Sequence, residues 1–306
     1  MKIKLFIIYT LIFLIGSGTY AQESSAAYLK SLDEWHAKRI GSLKSENGWL
    51  NLEGLFWLEQ GSNSFGSGKQ NAIVFPAGSI SAAAGYFEVK GFDVKLVTAA
   101  DAGVTLAGKP VKEAMIFNAD SMRSATMSHG PLRWTLIKRD NKIGVRLRNL
   151  ESKQLKEFKG VERFAADTSL RITAILQEGV VPATIPITNV LGQTTQNKLA
   201  GKLIFKIAGQ QLTLDALEEG DELFIIFGDE TSAVTTYPSG RFLYANKPGA
   251  DGKVVLDFNK AINPPCAFTD FATCPLPPKQ NILKVEITAG EKYHPNSPPA
   301  KEGQGP

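Results

Sequence analysis

The polar residues that could support chemistry are concentrated near the C-terminal end of the chain, between Asp229 and Glu291. A carboxylate in such a region can act as a general base, and an arginine can stabilise developing negative charge. The catalytic candidates are Asp257 or Glu291 as the base and Arg241 as the cation. The ligand-binding candidates in the same region are Tyr237, Arg241, Asp257, Asn259 and Asn263.

The candidate residues Asp257, Asn259 and Asn263 lie at or just past the end of a predicted strand, residues 253–258. Prolines at 264 and 265 fix φ and remove backbone donors, so we expect a rigid, extended loop after Asn263. Polar side chains there either converge on a ligand or hold the loop backbone in place. An aspartate buried beside Arg241 would form an ion pair that is either structural or the base of an anion site.

Cys266 and Cys274 are the two cysteines of the chain, and a disulfide between them is the favoured interpretation. A cysteine nucleophile would need a nearby base such as histidine, and the nearest, His294, begins a tail rich in proline and glycine. The histidines and cysteines match no known ligand spacing, so we predict no metal site and no cofactor.

The first 21 residues predict an export signal. Lys2 and Lys4 form a basic start, residues 5–15 an apolar run and residues 16–21 a small-residue exit that ends at Ala21. This apolar run is shorter than the roughly 20 residues that a bilayer-spanning helix needs. We therefore expect a protein in the periplasm or secreted, without a transmembrane segment after cleavage. An oxidising compartment favours the disulfide.

The charge of the chain argues against nucleic-acid binding. The formal charge is +4, and removal of the signal with its two lysines leaves +2. The longest basic cluster, residues 138–148, is interpreted as a hairpin with solvated basic side chains. We expect the partner to be an unknown small molecule or an envelope component.

The elements that must position these residues are mostly strands. Residues 25–47 are predicted to be a capped, amphipathic helix and a linker, with Leu29, Leu32, Trp35 or His36, and Ile40 on the apolar face. The helix should end near Gly41, or at the latest by Asn47-Gly48. The predicted strands cover 55–58, 72–75, 85–89, 93–98, 114–118, 132–138, 143–148, 171–176, 199–207, 222–227, 253–258 and 282–287, with a loop at 193–198. The fold class is all-β, or β-rich α+β, with an antiparallel sandwich or barrel.

The mature chain of 285 residues permits one large β domain or two smaller ones. The predicted division is a first β subdomain over 48–165, a second over 166–293 that carries the Asp257–Cys274 loop, and a disordered tail over 294–306.

Four short blocks of the first half resemble a forkhead-associated domain, a β-sandwich that binds phosphothreonine. These blocks are residues 64–67, 72–76, 79–84 and 106–110. The family's arginine, histidine and asparagine would fall at Ser67, Ala84 and Ala107. Without a guanidinium for charge-assisted bonds, phosphate recognition does not carry over, and the resemblance implies only a sandwich shape.

Blocks of the second half closely resemble the bacterial and archaeal family DUF1684, a domain of unknown function. These blocks are residues 229–231, 236–241, 257–268, 274–278, 281 and 289–292, and the tryptophan-rich opening, residues 48–58, is similar as well. The resemblance implies a relationship in fold and brings no catalytic residue.

Three functions follow as hypotheses. The first is an envelope binding protein with a polar pocket built by the Tyr237–Arg241 turn and the Asp257–Cys274 loop. The second is a hydrolase-type enzyme that uses the same region. The third is a structural partner in an envelope assembly, which would present a large exposed apolar patch.

Overall fold

Residues 25–118, 120, 124–179 and 183–293 are described by a computed structural model of the protein. The predicted export signal at 1–21 and the predicted tail at 294–306 lie outside the described residues.

The chain begins with helix α1, Ser25–Lys44, as the sequence predicts. The predicted apolar face is wrong at Leu29, which is 43% exposed, whereas Tyr28, Leu32 and Leu43 are buried. The buried stripe begins one residue earlier because Tyr28 packs its ring inward and bonds Asp257 of the second half.

The first β unit is a two-layer sandwich of residues 52–149. Its strands are β1 Leu52–Trp57, β2 Gly61–Gly66, β3 Ile73–Val74, β4 Gly85–Lys90, β5 Asp93–Thr98, β6 Thr105–Leu106, β7 Lys109–Pro110, β8 Glu113–Phe117, β9 Met127–His129, β10 Leu132–Arg139 and β11 Lys142–Asn149. One sheet has the order β1-β11-β10-β9-β6-β7, and the other has the order β3-β2-β4-β5-β8. A short helix, α2 Lys153–Glu157, follows.

The core of the sandwich lies between these two sheets and centres on Trp134, which is fully buried. The rings of Phe65 and Phe75 pack around it, with the Phe75 centroid 5.3 Å away in an edge-on arrangement. Aromatic rings bury large apolar areas, so this cluster contributes strongly to the stability of the unit.

The second β unit is an antiparallel, nearly closed sheet of residues 171–257. Its strands are β12 Arg171–Gln177, β13 Thr184–Thr188, β14 Thr194–Ile207, β15 Gln210–Glu219, β16 Glu222–Phe227, β17 Arg241–Asn246 and β18 Lys253–Asp257. Their order is β17-β16-β15-β14-β12-β18, with β13 paired to β14, and β18 lies next to β17. The β-rich antiparallel fold with one N-terminal helix is therefore confirmed.

Two local predictions in the second half are wrong. The predicted loop at 193–198 is largely strand, since the long β14 starts at Thr194 and pairs with β13 through exposed polar residues. The predicted strand at 282–287 is an irregular segment with one isolated bridge at Ile282. Its apolar residues Leu283 and Ile287 are instead buried against the core of the sheet.

Strand alternation gives the second unit two apolar faces. Residues such as Leu203, Leu214 and Ile225 fill its interior. Those on the outer face, including Ile226 and Phe242, form a second cluster with the disulfide and with Trp49 from the linker before β1. We call the region around this outer cluster, where Trp49 meets the disulfide loop, the junction.

Candidate functional site

Glu291 is embedded in a hydrogen-bond network that fixes α1 to the second β unit. Its Oε1 accepts from Arg39 Nε at 3.0 Å, and its Oε2 accepts from the backbone N–H of Asn263 at 2.7 Å. Arg39 also donates to the backbone oxygen of Asn263 at 3.0 Å. Because Glu291 is 1% exposed and both oxygens are occupied, it could act as a base only after displacement of these partners.

Arg241 is fully buried and donates to acceptors of the protein itself. One terminal nitrogen lies 2.8 Å from Asp229 Oδ2 and 2.9 Å from the Ile287 oxygen, and the other donates to the Ala289 oxygen. Burial lowers the pKa of the guanidinium, and Asp229 opposes that shift. These bonds favour the structural interpretation of the ion pair, since they tie the C-terminal segment to the sheet.

A glycine makes room for this packing at the start of β17. Gly240 has φ +86°, and a Cβ there would lie 2.5 Å from the Phe227 oxygen and 2.6 Å from Pro277 Cγ. The proline-rich segment can approach the backbone because this position lacks a side chain.

Asp257 and Asn259 come together beneath the start of α1. Tyr28 donates to Asp257 Oδ1 at 2.9 Å, and Asn259 exchanges two hydrogen bonds of 2.8 Å with the backbone of Asp167. The pKa of Tyr28 is raised, first by burial and then by its bond to Asp257. Asp257 Oδ2 is buried without a hydrogen bond, with Lys260 Nζ 3.7 Å away.

The predicted ligand-binding residues therefore divide into buried and accessible ones. Arg241, Asp257, Asn259 and Asn263 are all less than 7% exposed. Tyr237 is half-buried, and its ring stands edge-on to that of Tyr293 with centroids 4.9 Å apart. Burial raises the pKa of the Tyr237 hydroxyl. Their roles toward a ligand stay predictions, and Tyr237 is the member that a ligand can reach without rearrangement.

The predicted disulfide is confirmed. Cys266 and Cys274 are bonded, with Cα atoms 6.2 Å apart. The loop between them touches both neighbouring elements: the ring of Phe268 lies 5.6 Å from the Arg39 guanidinium, and Thr273 Oγ1 accepts from Arg139 Nε at 3.2 Å. The disulfide loop thus bridges α1 and the first β unit.

The structure also contains buried arginines that sequence reasoning missed. Residues 138–148 form the β10–β11 hairpin as predicted, but Arg146 and Arg148 are 9% and 8% exposed rather than solvated. They point away from the sandwich core, because Val145 and Leu147, which alternate with them along β11, face that core. The prediction of solvated basic side chains fails here since the outer face of the sheet is covered.

Arg146 has no acidic partner in the described part of the chain. Its guanidinium carbon lies 5.3 Å from the centre of the Trp49 ring, and Trp49 packs against the apolar cluster that contains the disulfide. Among the described residues no carboxylate oxygen lies within 4.0 Å of Arg146 or Arg148, and the Nε of each is buried without an acceptor. Burial, with repulsion from Arg148 and Arg139, lowers the pKa of Arg146 to about 10.

One sequence signal could have revealed this covered face. Gly144 lies on the same side of β11 as Arg146, and a Cβ there would lie 3.0 Å from the side chains of Leu55 and Trp57. A glycine between alternating residues of a strand indicates close approach of another group. The glycine thus indicates that large side chains cross this face near Arg146.

A separate cavity of about 410 Å³ lies beside α1. It is lined by Leu29, Leu32, Asp33, Arg163 and residues 164–166, and Asp33 pairs with Arg163 across it. None of the predicted catalytic or ligand-binding residues lines this cavity.

Two further searches covered the described residues. They contain no group of three or more His, Cys, Asp or Glu side chains placed to hold a metal ion. No helix in the described part of the chain has both the length and the hydrophobicity needed to cross a bilayer.

Comparisons with known proteins place the second half in context. The family model described as "Protein of unknown function (DUF1684)" matches residues 156–292, which confirms the resemblance over that segment. The tryptophan-rich opening, residues 48–58, lies outside the match. The search of curated proteins found no match.

Two solved structures are similar to parts of the chain. An uncharacterised protein of Haloarcula marismortui, solved by NMR in solution, is 29% identical over 46% of this chain and 80% of its own, with a TM-score of 0.38. A structure from a study of phosphothreonine-dependent FHA domain interactions is 19% identical over 31% of this chain and 92% of its own, with a TM-score of 0.21. TM-scores this low carry no argument about fold or function.

Proposed function

We propose that this protein is exported and acts outside the cytoplasm as a binding protein, with its ligand held at the junction of the two β units. The observation that carries the proposal is a difference in which buried charged side chains have partners inside the protein. Asp257 and Glu291, the candidate bases, are buried and bonded to α1 or to the loop. At the junction, Arg146 and Arg148 are buried with no carboxylate partner among the described residues, whereas buried Arg241 is paired with Asp229.

The junction also combines apolar and polar side chains, as a small-molecule site requires. The disulfide loop is joined to the β10–β11 hairpin by the Arg139–Thr273 hydrogen bond. Trp49 and Tyr237 both pack against the apolar cluster between them. Ligand sites typically combine such apolar surface with a few polar groups that fix orientation.

The export part of the proposal rests on the signal-like residues 1–21 and agrees with the disulfide, which persists in oxidising compartments. The full chain would be expressed in a bacterial host, and periplasm, medium and cytoplasm would be compared by mass spectrometry. We expect a mature protein that starts at Gln22, with no free thiol before reduction. A full-length protein confined to the cytoplasm would contradict export.

The binding part is tested by a thermal-shift screen of the mature protein against anionic, neutral and cationic small molecules. We expect hits whose stabilising effect is reduced in Tyr237→Phe or Thr273→Val, with Thr188→Val on the exposed face of β13 as the matched control. A screen without hits, or hits that no junction variant weakens, would overturn the proposal. If the wild type turns over a compound found in the screen and the Glu291→Gln variant does not, the hydrolase hypothesis is favoured instead.

A further inference from the structure

We infer that the junction binds an oxyanion, a phosphate or carboxylate group of the ligand, through the guanidinium groups of Arg146 and Arg148. This inference rests on the proposed function and adds the chemical class of what is bound. Three observations support it: burial of both arginines, the lack of acidic partners for them in the part of the chain that the structure describes, and their placement on one strand face.

The first observation is energetic. A buried cation without a partner costs folding free energy, and replacement of buried charges by apolar residues is often neutral or stabilising. Both arginines are more than nine-tenths buried, and the Arg146–Trp49 contact offsets only part of this cost. Stability alone therefore does not account for two unmatched guanidinium groups at this position.

The second observation is the contrast with the other buried arginine, Arg241. It has Asp229 and two backbone oxygens as acceptors, so its charge is matched inside the protein. Arg148 has a single weak acceptor, the Asn47 oxygen at 3.4 Å, and Arg146 has none among the described residues. A bound oxyanion would supply the acceptor that the described residues do not provide.

The third observation is geometric. Arg146 and Arg148 are two residues apart on β11, so both side chains leave the same face of the sheet. Arg139, at the far end of the hairpin, is close enough to depress the pKa of Arg146. Guanidinium groups are planar forks that bind carboxylate and phosphate in bidentate fashion. The arrangement suits a compact group with several oxygens better than a neutral or cationic one.

The test is isothermal titration of the disulfide-bonded mature protein with inorganic phosphate and, separately, with acetate. Ionic strength is held constant with chloride. We expect Arg146→Gln and Arg148→Gln each to lower the affinity at least tenfold for whichever anion binds the wild type more tightly. The matched control is Arg163→Gln, whose charge is already paired with Asp33 beside α1, and we expect it to stay within twofold of the wild type.

Two additional measurements separate binding from a structural role. Arg146→Lys keeps the charge but loses the planar fork, so we expect a loss close to that of Arg146→Gln without a change in fold by circular dichroism. In the absence of anions, the melting temperature of Arg146→Gln should equal or exceed that of the wild type, because an unmatched buried charge is gone. A purely structural arginine would give a lower melting temperature.

The outcomes are distinguishable from those of the proposed function. If phosphate binds more tightly than acetate, the bound group is a phosphate. If acetate binds more tightly, it is a carboxylate, and either result supports an oxyanion site. Equal anion affinity in the wild type and in Arg146→Gln would overturn the inference. If neutral molecules still bound at the junction in that case, the binding protein would stand and the oxyanion would not.

Discussion

At the scale of single residues, burial decides whether a polar side chain serves a ligand or the fold. Arg241 is next to typical loop residues in the sequence, but it is fully buried and bonded to Asp229. Arg146 lies in an ordinary-looking basic hairpin, but it is buried and no acidic residue of the described ranges is paired with it. The contacts of Arg241 are consistent with a structural role, and the burial of Arg146 motivates the oxyanion site.

Removal of the Arg241 side chain should be strongly destabilising. Arg241→Ala leaves Asp229 buried without its cation, and breaking a buried pair in this way costs about 3–5 kcal/mol. Urea unfolding followed by circular dichroism measures the change. The matched comparison is Lys253→Ala, which removes an exposed, solvent-screened ion pair with Asp251 and should have a much smaller effect. Equal effects in both variants would contradict a structural role.

His36 should make stability depend on pH. Burial and the positive charges of Arg163 and Arg39 lower its pKa, while Glu291 and Asp33 act in the opposite direction. Because the folded pKa lies below the ordinary value of about 6.5, the unfolded state binds more protons in that interval. The free energy of unfolding should therefore fall as pH drops through 6.5 toward the folded pKa.

The contribution of His36 is isolated by urea unfolding at several pH values between 5 and 8, for the wild type and for His36→Gln. We expect the variant to lose part of the decrease at acidic pH. Parallel curves for the two proteins would show that His36 does not carry this dependence.

At the scale of elements, close approach of backbones positions the loops of the second half. The prolines make the segments around the disulfide stiff, as the sequence predicts, and the chain forms a short turn at Pro265–Ala267. Glycines then let these segments approach the sheet. Gly290, with φ +79°, would place a Cβ 2.5 Å from the Ala261 oxygen, and Gly240 is equally confined.

Gly240→Ala should destabilise the protein through both strain and collision. Gly209→Ala is the matched control, because that glycine has nearly the same φ, +83°, but nothing within 4 Å of the added Cβ. We expect about 1 kcal/mol for the control and at least about 1 kcal/mol more for Gly240→Ala. Chemical denaturation measures both, and equal losses would show that the contact with Phe227 is relieved at no cost.

At the scale of the whole molecule, α1 is fixed to the second half, and the disulfide loop that it contacts is bonded to the first β unit. Arg39 contributes at three points, since it bonds Glu291 and Asn263 and lies over Phe268. The helix is therefore anchored by buried polar contacts as well as by its apolar stripe.

A double-mutant cycle tests this anchoring. Arg39→Met should cost about 3–5 kcal/mol because it leaves Glu291 buried and unpaired. The double variant Arg39→Met with Glu291→Gln should be more stable than Arg39→Met alone, since the unmatched charge is removed. The cycle is measured by urea unfolding, and additive effects would show that the two side chains do not interact.

The sequence by itself determined the strands with clear alternation, the β10–β11 hairpin, the extent of α1 and the cysteine pair. These features depend on neighbours along the chain, where periodicity, turn residues and proline act directly. The predictions for residues 193–198 and 282–287 were wrong because these segments depend on contacts that are distant along the chain. The polar start of β14 resembles a loop because its partner strand supplies the pairing, and residues 282–287 are apolar because they cover a core.

Only the tertiary structure decided which polar side chains have a hydrogen-bond or ion-pair partner. Tyr28 and Asp257 are 229 positions apart, and Arg39 and Glu291 are 252 apart, so no local pattern reveals that they bond. The covered face of β11 likewise depends on Trp49 and on a loop more than a hundred residues away. Hydrogen bonding and burial are properties of partners in space, and this is why the buried arginine pair is visible only in the folded molecule.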